Sequence, residues 1–163
     1  MAELYADIKL IDVLNDLRSR ELAVVMQYMR QHYTVTGPDG MLHADTFKSV
    51  AITEMKHAEA LAERIEFLGG NATTKPEAFA SHFSSLKEMA KADFSSESDA
   101  VMRYKSAVRI AAAQDDTTTR KMLEGILADE EDHLKTFTDM LGGDVMGGEL
   151  LDSRLSEEPG QGE

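Results

Sequence analysis

Glutamate and histidine side chains recur in this sequence at one fixed spacing, Glu-x32-Glu-x2-His. The spacing occurs twice, first as Glu21, Glu54 and His57 and then, 76 residues later, as Glu97, Glu130 and His133. Carboxylate oxygens and imidazole nitrogens are the ligands that suit Fe, Mn and Zn. Two copies at one offset therefore predict a site for two metal ions with internal pseudo-symmetry.

Four long segments with helical periodicity must position these residues, because their apolar residues recur at steps of three and four. The predicted helices span residues 3–33, 43–68 and 84–113 and, after a break at 115–117, continue to about residue 141. A turn is predicted at residues 36–40, and residues 71–81 form a longer connection that contains Pro76. These lengths predict an all-α fold, a four-helix bundle with a long crossover between helices 2 and 3.

The C-terminal region differs in composition from the four predicted helices. A short apolar piece, residues 149–155, lies between a glycine pair and an acidic tail that contains proline and glycine. It predicts either a short fifth helix or a flexible tail. We therefore divide the chain into a bundle, residues 1–145, and a C-terminal segment, residues 146–163.

All six metal-type residues lie within the apolar stripes of the predicted helices. Glu54 and His57 share a helical face, as do Glu130 and His133, because residues three apart are neighbours on a helix. Four inward carboxylates would repel one another, and the inward positions predicted for the helices include no Lys or Arg. Two divalent ions would balance four ionised glutamates. A single Glu-x-x-His is most often a solvated helix surface, so it is the second copy that favours metal.

The repeat also includes two tyrosines. Tyr28 lies seven residues after Glu21, and Tyr104 lies seven residues after Glu97. Each hydroxyl could support a ligating carboxylate through a hydrogen bond, although tyrosines at helical spacing are equally often plain core residues. The acidic residues beside the second motif fall mostly off the core face and are predicted to be solvated charges; they are Asp129, Glu131 and Asp132.

Composition excludes several classes of function. The formal net charge of −13 makes nucleic-acid binding improbable, because phosphates would be repelled. The sequence contains no cysteine, so neither disulfides nor thiolate metal sites are expected. No apolar run approaches the roughly 20 residues of a membrane-spanning helix, and the N-terminus does not resemble a secretion signal. We therefore expect a protein of the cytoplasm that acts without a membrane.

The sequence resembles the bacterioferritins, a family of ferritin-like di-iron carboxylate proteins. The likeness covers roughly residues 3–141 and includes the segments 54–59, 63–68 and 129–133 around the repeated motif. It implies iron storage and a ferroxidase that oxidises Fe(II) with O2 or H2O2 at two iron ions per subunit. In this resemblance Glu54 and Glu130 bridge the ions, and Glu21 and Glu97 are terminal ligands.

The same resemblance implies a haem b shared between two subunits, with Met55 as the axial ligand from each. Position 55 lies about 100° around the helix from Glu54 and so faces away from the bundle core. The first helix has a second apolar face, formed by Leu22, Val25, Met26, Met29 and Tyr33. We therefore expect a homodimer built on helices 1 and 2, and the family implies a 24-subunit cage. Met55 could instead simply fill a gap in that interface.

Two positions depart from the family pattern. Ser49 and Thr53 stand where bacterioferritins usually carry the histidine and aspartate of an iron site on the inner cage surface. Other interpretations are a rubrerythrin-like di-iron peroxidase without storage, or a metal site that only stabilises the protein. The absence of cysteine counts against a rubrerythrin, and the negative charge counts against a mini-ferritin that coats DNA.

Overall fold

The computed structural model describes residues 8–142, and these residues form four long helices and no strand. They are α1 (Leu10–Thr34), α2 (Gly37–Phe67), α3 (Leu86–Ala113) and α4 (Thr117–Leu141). The predicted all-α bundle is confirmed. The predicted fifth helix and the C-terminal segment from residue 146 lie outside the described residues. None of the described helices is long and apolar enough to cross a membrane.

One predicted helix start is wrong, that of α2. The turn predicted at residues 36–40 is mostly helix, since α2 begins at Gly37 rather than at residue 43. Pro38 suits this first turn, because the first amide groups of a helix have no intrahelical acceptor. Helix α1 begins at Leu10, so residues 8 and 9 are not helical as predicted, and the predicted start at residue 3 lies outside the described residues. The carbonyl of Ile8 accepts a hydrogen bond from the Gln114 side chain, 2.7 Å away.

Local residues define the start of α4 and the end of α2. Asp116 caps α4, and its carboxylate accepts a hydrogen bond from the Thr119 amide at 2.9 Å, as the predicted break at 115–117 requires. At the end of α2, Gly69 adopts a φ of +83°, and the Gly70 amide donates to the Ile65 carbonyl at 2.9 Å. This is the αL termination that glycine favours.

Residues 68–85 connect α2 to α3 and follow α1 along its length. The Asn15 side chain donates to the carbonyl of Asn71 at 2.9 Å, and the Ser81 amide donates to Gln27 at 2.7 Å. Midway, the Glu77 amide donates to the Ser19 carbonyl at 3.0 Å. The connection is therefore fastened to α1 by polar contacts at several points and closes one side of the bundle.

The core consists of two apolar clusters at opposite ends of the bundle, separated by polar residues. One cluster includes Leu14, Leu61 and Leu123, and the other is centred on Phe47 and Phe137. The helices pack mainly in pairs, α1 on α2 and α3 on α4. A ring of buried carboxylates between the clusters would be costly without neutralising partners, so their presence points to a functional site.

Candidate metal centre

The structure brings all six metal-type residues together at the middle of the bundle. Each helix contributes, with Glu21 on α1, Glu54 and His57 on α2, Glu97 on α3, and Glu130 and His133 on α4. All four carboxylates are completely buried, and the imidazoles are at most 7% exposed. Four separate helices therefore converge on one point through side chains that the sequence repeat singled out.

The ligand-type atoms form two overlapping groups, each with atoms within 4.8 Å of one another. One group contains Glu21, Glu54, His57 and Glu130, and the other contains Glu54, Glu97, Glu130 and His133. Glu54 and Glu130 belong to both groups. The geometry thus offers two adjacent positions for metal ions, each with three carboxylates and one imidazole.

The two imidazoles direct Nδ1 at the shared carboxylates. His57 Nδ1 lies 2.8 Å from Glu54 Oε2 and 3.0 Å from Glu130 Oε1, and His133 Nδ1 lies 3.0 Å from Glu54 Oε1. Burial opposes protonation, but these contacts outweigh it and raise the pKa of His57 to about 11 and that of His133 to about 10. The carboxylates around them therefore favour the protonated form of both rings.

The carboxylates respond to burial in two ways. Burial raises the pKa of Glu21 and Glu97, and the attraction of Arg20 does not offset it. Burial also opposes ionisation of Glu54 and Glu130, but their contacts with the two imidazoles lower both pKa values. The shared glutamates are therefore the more strongly ionised pair.

The tyrosines of the repeat pair with glutamates across the bundle. The Tyr28 hydroxyl donates to Glu97 Oε1, and the Tyr104 hydroxyl donates to Glu21 Oε1, both through short contacts. Both rings are completely buried. Burial, together with the neighbouring carboxylates, raises the pKa of each phenol, which keeps the hydroxyl as a donor. Each half of the chain thus supports the terminal glutamate of the other half.

Sequence reasoning missed Arg20, which is only 1% exposed and lies among the glutamates. Its Nη1 is 2.9 Å from Glu21 Oε2, 3.3 Å from Glu130 Oε2 and 3.6 Å from Glu54 Oε1, and its Nη2 is 3.1 Å from Glu97 Oε1. The expectation of no inward cation is therefore wrong. Spacing could have revealed it, because position 20 lies three residues after the inward Leu17.

Sequence reasoning also missed the contact that Asp129 makes with His57. Its side chain is 52% exposed, in keeping with the predicted solvated charge, yet its Oδ2 lies 2.9 Å from His57 Nε2. A carboxylate on the far nitrogen of a ligand-type histidine fixes the orientation of the ring. Asp129 therefore contacts the site from its solvent-exposed edge.

Donor chemistry suits two divalent ions that prefer oxygen and imidazole ligands. Glu97 Oε2 is buried and has no hydrogen-bond partner among residues 8–142. An unpartnered buried carboxylate oxygen is costly, and a metal ion would satisfy it. The side chains present therefore fit a two-metal centre. The Arg20 guanidinium also contacts all four of its glutamates.

The outer face of α2 carries the residue expected to bind haem. Met55 is 52% exposed, and three other apolar or aromatic side chains of α1 and α2 are also exposed, Ile52, Met26 and Tyr33. Of the outer face predicted for the first helix, Met26 and Tyr33 are exposed, whereas Met29 packs against the apolar cluster around Phe47 and Phe137. A separate cavity of about 390 Å³ lies beside His133 and is lined by Ser49 and Thr53.

The bundle and its buried carboxylate–histidine cluster together define the class of ferritin-like proteins. The family model of the ferritin-like domain matches residues 11–144. A bacterioferritin of Desulfovibrio desulfuricans is 34% identical over 137 residues, which cover 84% of this chain and 76% of the relative. The chain belongs to the bacterioferritins within this family.

Solved structures agree with this membership. An X-ray structure of the Desulfovibrio desulfuricans bacterioferritin, which describes its diiron site in different catalytic states, matches with a TM-score of 0.79 and 30% identity. That match covers 99% of this chain and 95% of the other. A ferritin-like, diiron-carboxylate protein from Bacillus anthracis matches with a TM-score of 0.78 and 30% identity, covering 82% and 95%.

Proposed function

We propose that this protein stores iron and that its buried site is a ferroxidase, with Fe(II) as the substrate. The observation that carries the proposal is the convergence of four buried glutamates and two histidines in two overlapping groups of ligand atoms. Membership of the bacterioferritins supports iron as the metal. A rubrerythrin-like peroxidase without storage is not favoured, because the relatives are bacterioferritins.

Each residue has a distinct part in binding the substrate. Glu54 and Glu130 belong to both groups, so they would bridge the two ions, while Glu21 and Glu97 would each hold one. His57 and His133 would add one nitrogen to each ion after losing a proton. Tyr28 and Tyr104 would hold the terminal carboxylates through their hydroxyl groups.

The reaction transfers electrons from iron to a soluble oxidant. Each Fe(II) gives up one electron, so a pair reduces one H2O2 to two waters, or one O2 to H2O2, with two protons taken up. The buried site keeps bulk water away from this step, and Fe(III) then moves to a mineral store inside a protein cage. We place this activity in the cytoplasm, as the sequence predicts.

Assembly and haem binding belong to the same proposal. The exposed apolar surface around Met26, Ile52 and Met55 suits a homodimer built on α1 and α2. A haem b between two Met55 side chains would conduct electrons to the stored iron, and twelve such dimers would form the 24-subunit cage. A Met55→Leu variant that keeps the haem spectrum of the wild type would refute the axial-ligand role.

The direct test is aerobic addition of Fe(II) to purified protein, with absorbance and particle mass followed together. We expect oxidation faster than in buffer and particles that gain iron. Glu130→Gln should lose the rate, whereas Glu131→Gln, at the neighbouring and 54% exposed position, should keep it. Oxidation no faster than in buffer, with particles that remain dimers, would overturn the storage proposal.

A further inference from the structure

The guanidinium of Arg20 lies where metal ions would bind. Its Nη1 contacts Glu21, Glu54 and Glu130, which are three of the four members of one ligand group. Its Nη2 contacts Glu97, which belongs to the other group. The side chain therefore neutralises the same carboxylates that both ions would use.

Charged partners, not neutral ones, hold Arg20 in place, and its Nη1 donates hydrogen bonds to Glu21 at 2.9 Å and to Glu130 at 3.3 Å. The hydrogen bond that Arg20 donates to a neutral group is long, 3.4 Å from Nη2 to the carbonyl oxygen of Ser96. Its buried Nε has no partner among residues 8–142. Once cations neutralise the glutamates, a charged guanidinium beside them would be repelled, because like charges in a buried site interact strongly.

A cavity beside the site can receive the displaced side chain. Its volume is about 230 Å³, and it lies between α1, α3 and the connection at residues 68–85. Ala23, Val24 and Ser96 line it. Ala23 and Val24 lie about one helical turn after Arg20 on α1, and Ser96 is the residue whose carbonyl accepts a hydrogen bond from Arg20. Two acidic side chains also line it, Glu77, which already pairs with Arg103 at 2.7 Å, and the buried Asp93. Glu77 could share its carboxylate between the two guanidinium groups.

We propose that Arg20 is the internal counter-ion of the metal-free site and swings into this cavity when metal ions bind. The inference rests on the proposed two-metal site and adds an arginine that competes with the ions. The first ion bears the cost of displacing the guanidinium. The second ion then enters a site that is already clear, so Arg20 lowers the affinity of the first binding step most.

The first test compares Arg20→Met with Arg120→Met, in which the same change is made at an exposed position on α4. Co(II) is the probe, because it is stable in air and its absorption reports coordination. Arg20→Met should bind the first Co(II) about 10- to 100-fold more tightly than wild type, within the usual range of coupling between sites. Its metal-free form should melt at a lower temperature, since four buried carboxylates lose their cation.

The second test fills the cavity and leaves Arg20 in place. Ala92 lines the cavity from α3 and is partly exposed, so Ala92→Leu should fold and narrow the space. We expect weaker binding of the first Co(II), by about fivefold or more, and no such loss when Arg20→Met is also present. This variant keeps the proposal testable even if Arg20→Met does not fold.

The outcomes separate the two proposals. Equal Co(II) affinity, within twofold, in wild type, Arg20→Met and Arg120→Met would overturn the counter-ion role and leave the metal site intact. An Ala92→Leu effect that persists in the double variant would overturn the swing into the cavity. Failure of wild type and every variant to bind Co(II) would overturn both proposals.

Discussion

The two halves of the bundle carry the same ligands but differ at the residue beside each ligand. Arg20 precedes Glu21, whereas Ser96 precedes Glu97, and only the arginine brings a charge into the site. In the other helix of each half, Thr53 precedes Glu54, whereas Asp129 precedes Glu130.

These differences have different consequences for the two imidazoles. Asp129 reaches across to His57 Nε2, while the Thr53 hydroxyl donates to the carbonyl of Ser49 within its own helix, 3.2 Å away. His133 instead borders an open cavity. The two halves are therefore alike in their ligand-type residues and in the tyrosines that contact them. They differ in Arg20, which neutralises the glutamates, and in Asp129, which orients His57.

The largest expected effect concerns the difference between shared and terminal glutamates. Glu54→Gln should lose tight binding of both ions, whereas Glu97→Gln should lose one, because Glu54 belongs to both ligand groups. Each lost ion should bind more than about 100-fold more weakly, since removing even the partner of a ligand costs 10–100-fold. Counting bound Co(II) by equilibrium dialysis checks this. Two tight ions in Glu54→Gln would contradict the shared role.

A second difference between the halves is a buried acid. Position 17 is Leu17, whereas its equivalent 76 residues later is Asp93, which is 1% exposed. Burial raises the pKa of Asp93 to about 8, and a hydrogen bond from Gln31 only partly opposes this. The folded protein therefore holds this proton more tightly than the unfolded chain, and stability should fall as pH rises from about 4 to 8.

Asp93→Asn should remove this dependence and stabilise the protein at pH 8 and above. The upper bound is about 6 kcal/mol, because the pKa rises from 3.8 to about 8 and each pKa unit is worth about 1.4 kcal/mol. Chemical unfolding at pH 5 and pH 9 measures the effect. Asp99→Asn, at a 46% exposed position on the same helix, is the matched control and should change little. An unchanged difference between pH 5 and pH 9 in Asp93→Asn would show that Asp93 is not the cause.

The tyrosines test how far the symmetry extends. Tyr28→Phe and Tyr104→Phe each remove a buried hydroxyl that donates to a carboxylate across the bundle. Each should lower the free energy of unfolding by about 1–3 kcal/mol, the usual cost of leaving a buried acceptor without its hydrogen-bond partner. The two losses should agree closely. A loss in only one variant would show that the halves differ here as well.

The smallest effect should separate Asp129 from Thr53. Asp129→Asn should weaken binding of the ion held by His57 about tenfold, the lower end expected for a group that orients a ligand, because Asp129 is half exposed. Thr53→Ala should leave Co(II) affinity within about twofold, as surface changes usually do. Titration of both variants with Co(II) measures these affinities. Equal effects would mean that Asp129 is only a solvated charge.

Much of the architecture could be predicted because it depends on local spacing. Steps of three and four residues placed Glu54 and His57 on one helical face, and the offset of 76 residues linked the two halves. The start of α2 was missed because Pro38 and its neighbouring glycines are typical of turns and are also tolerated in the first turn of a helix. Local signals alone do not separate these two outcomes.

The sequence by itself determined which ligand-type residues lie inward, since six residues in two equally spaced copies lie on the inward faces of four helices. Only the tertiary structure decided what neutralises them. The repeat does not include Arg20, because the equivalent position 76 residues later is Ser96. The burial of Arg20 depends on carboxylates contributed by α2, α3 and α4. Helical spacing is a local property, whereas the field that draws a cation inward is the sum over the whole bundle.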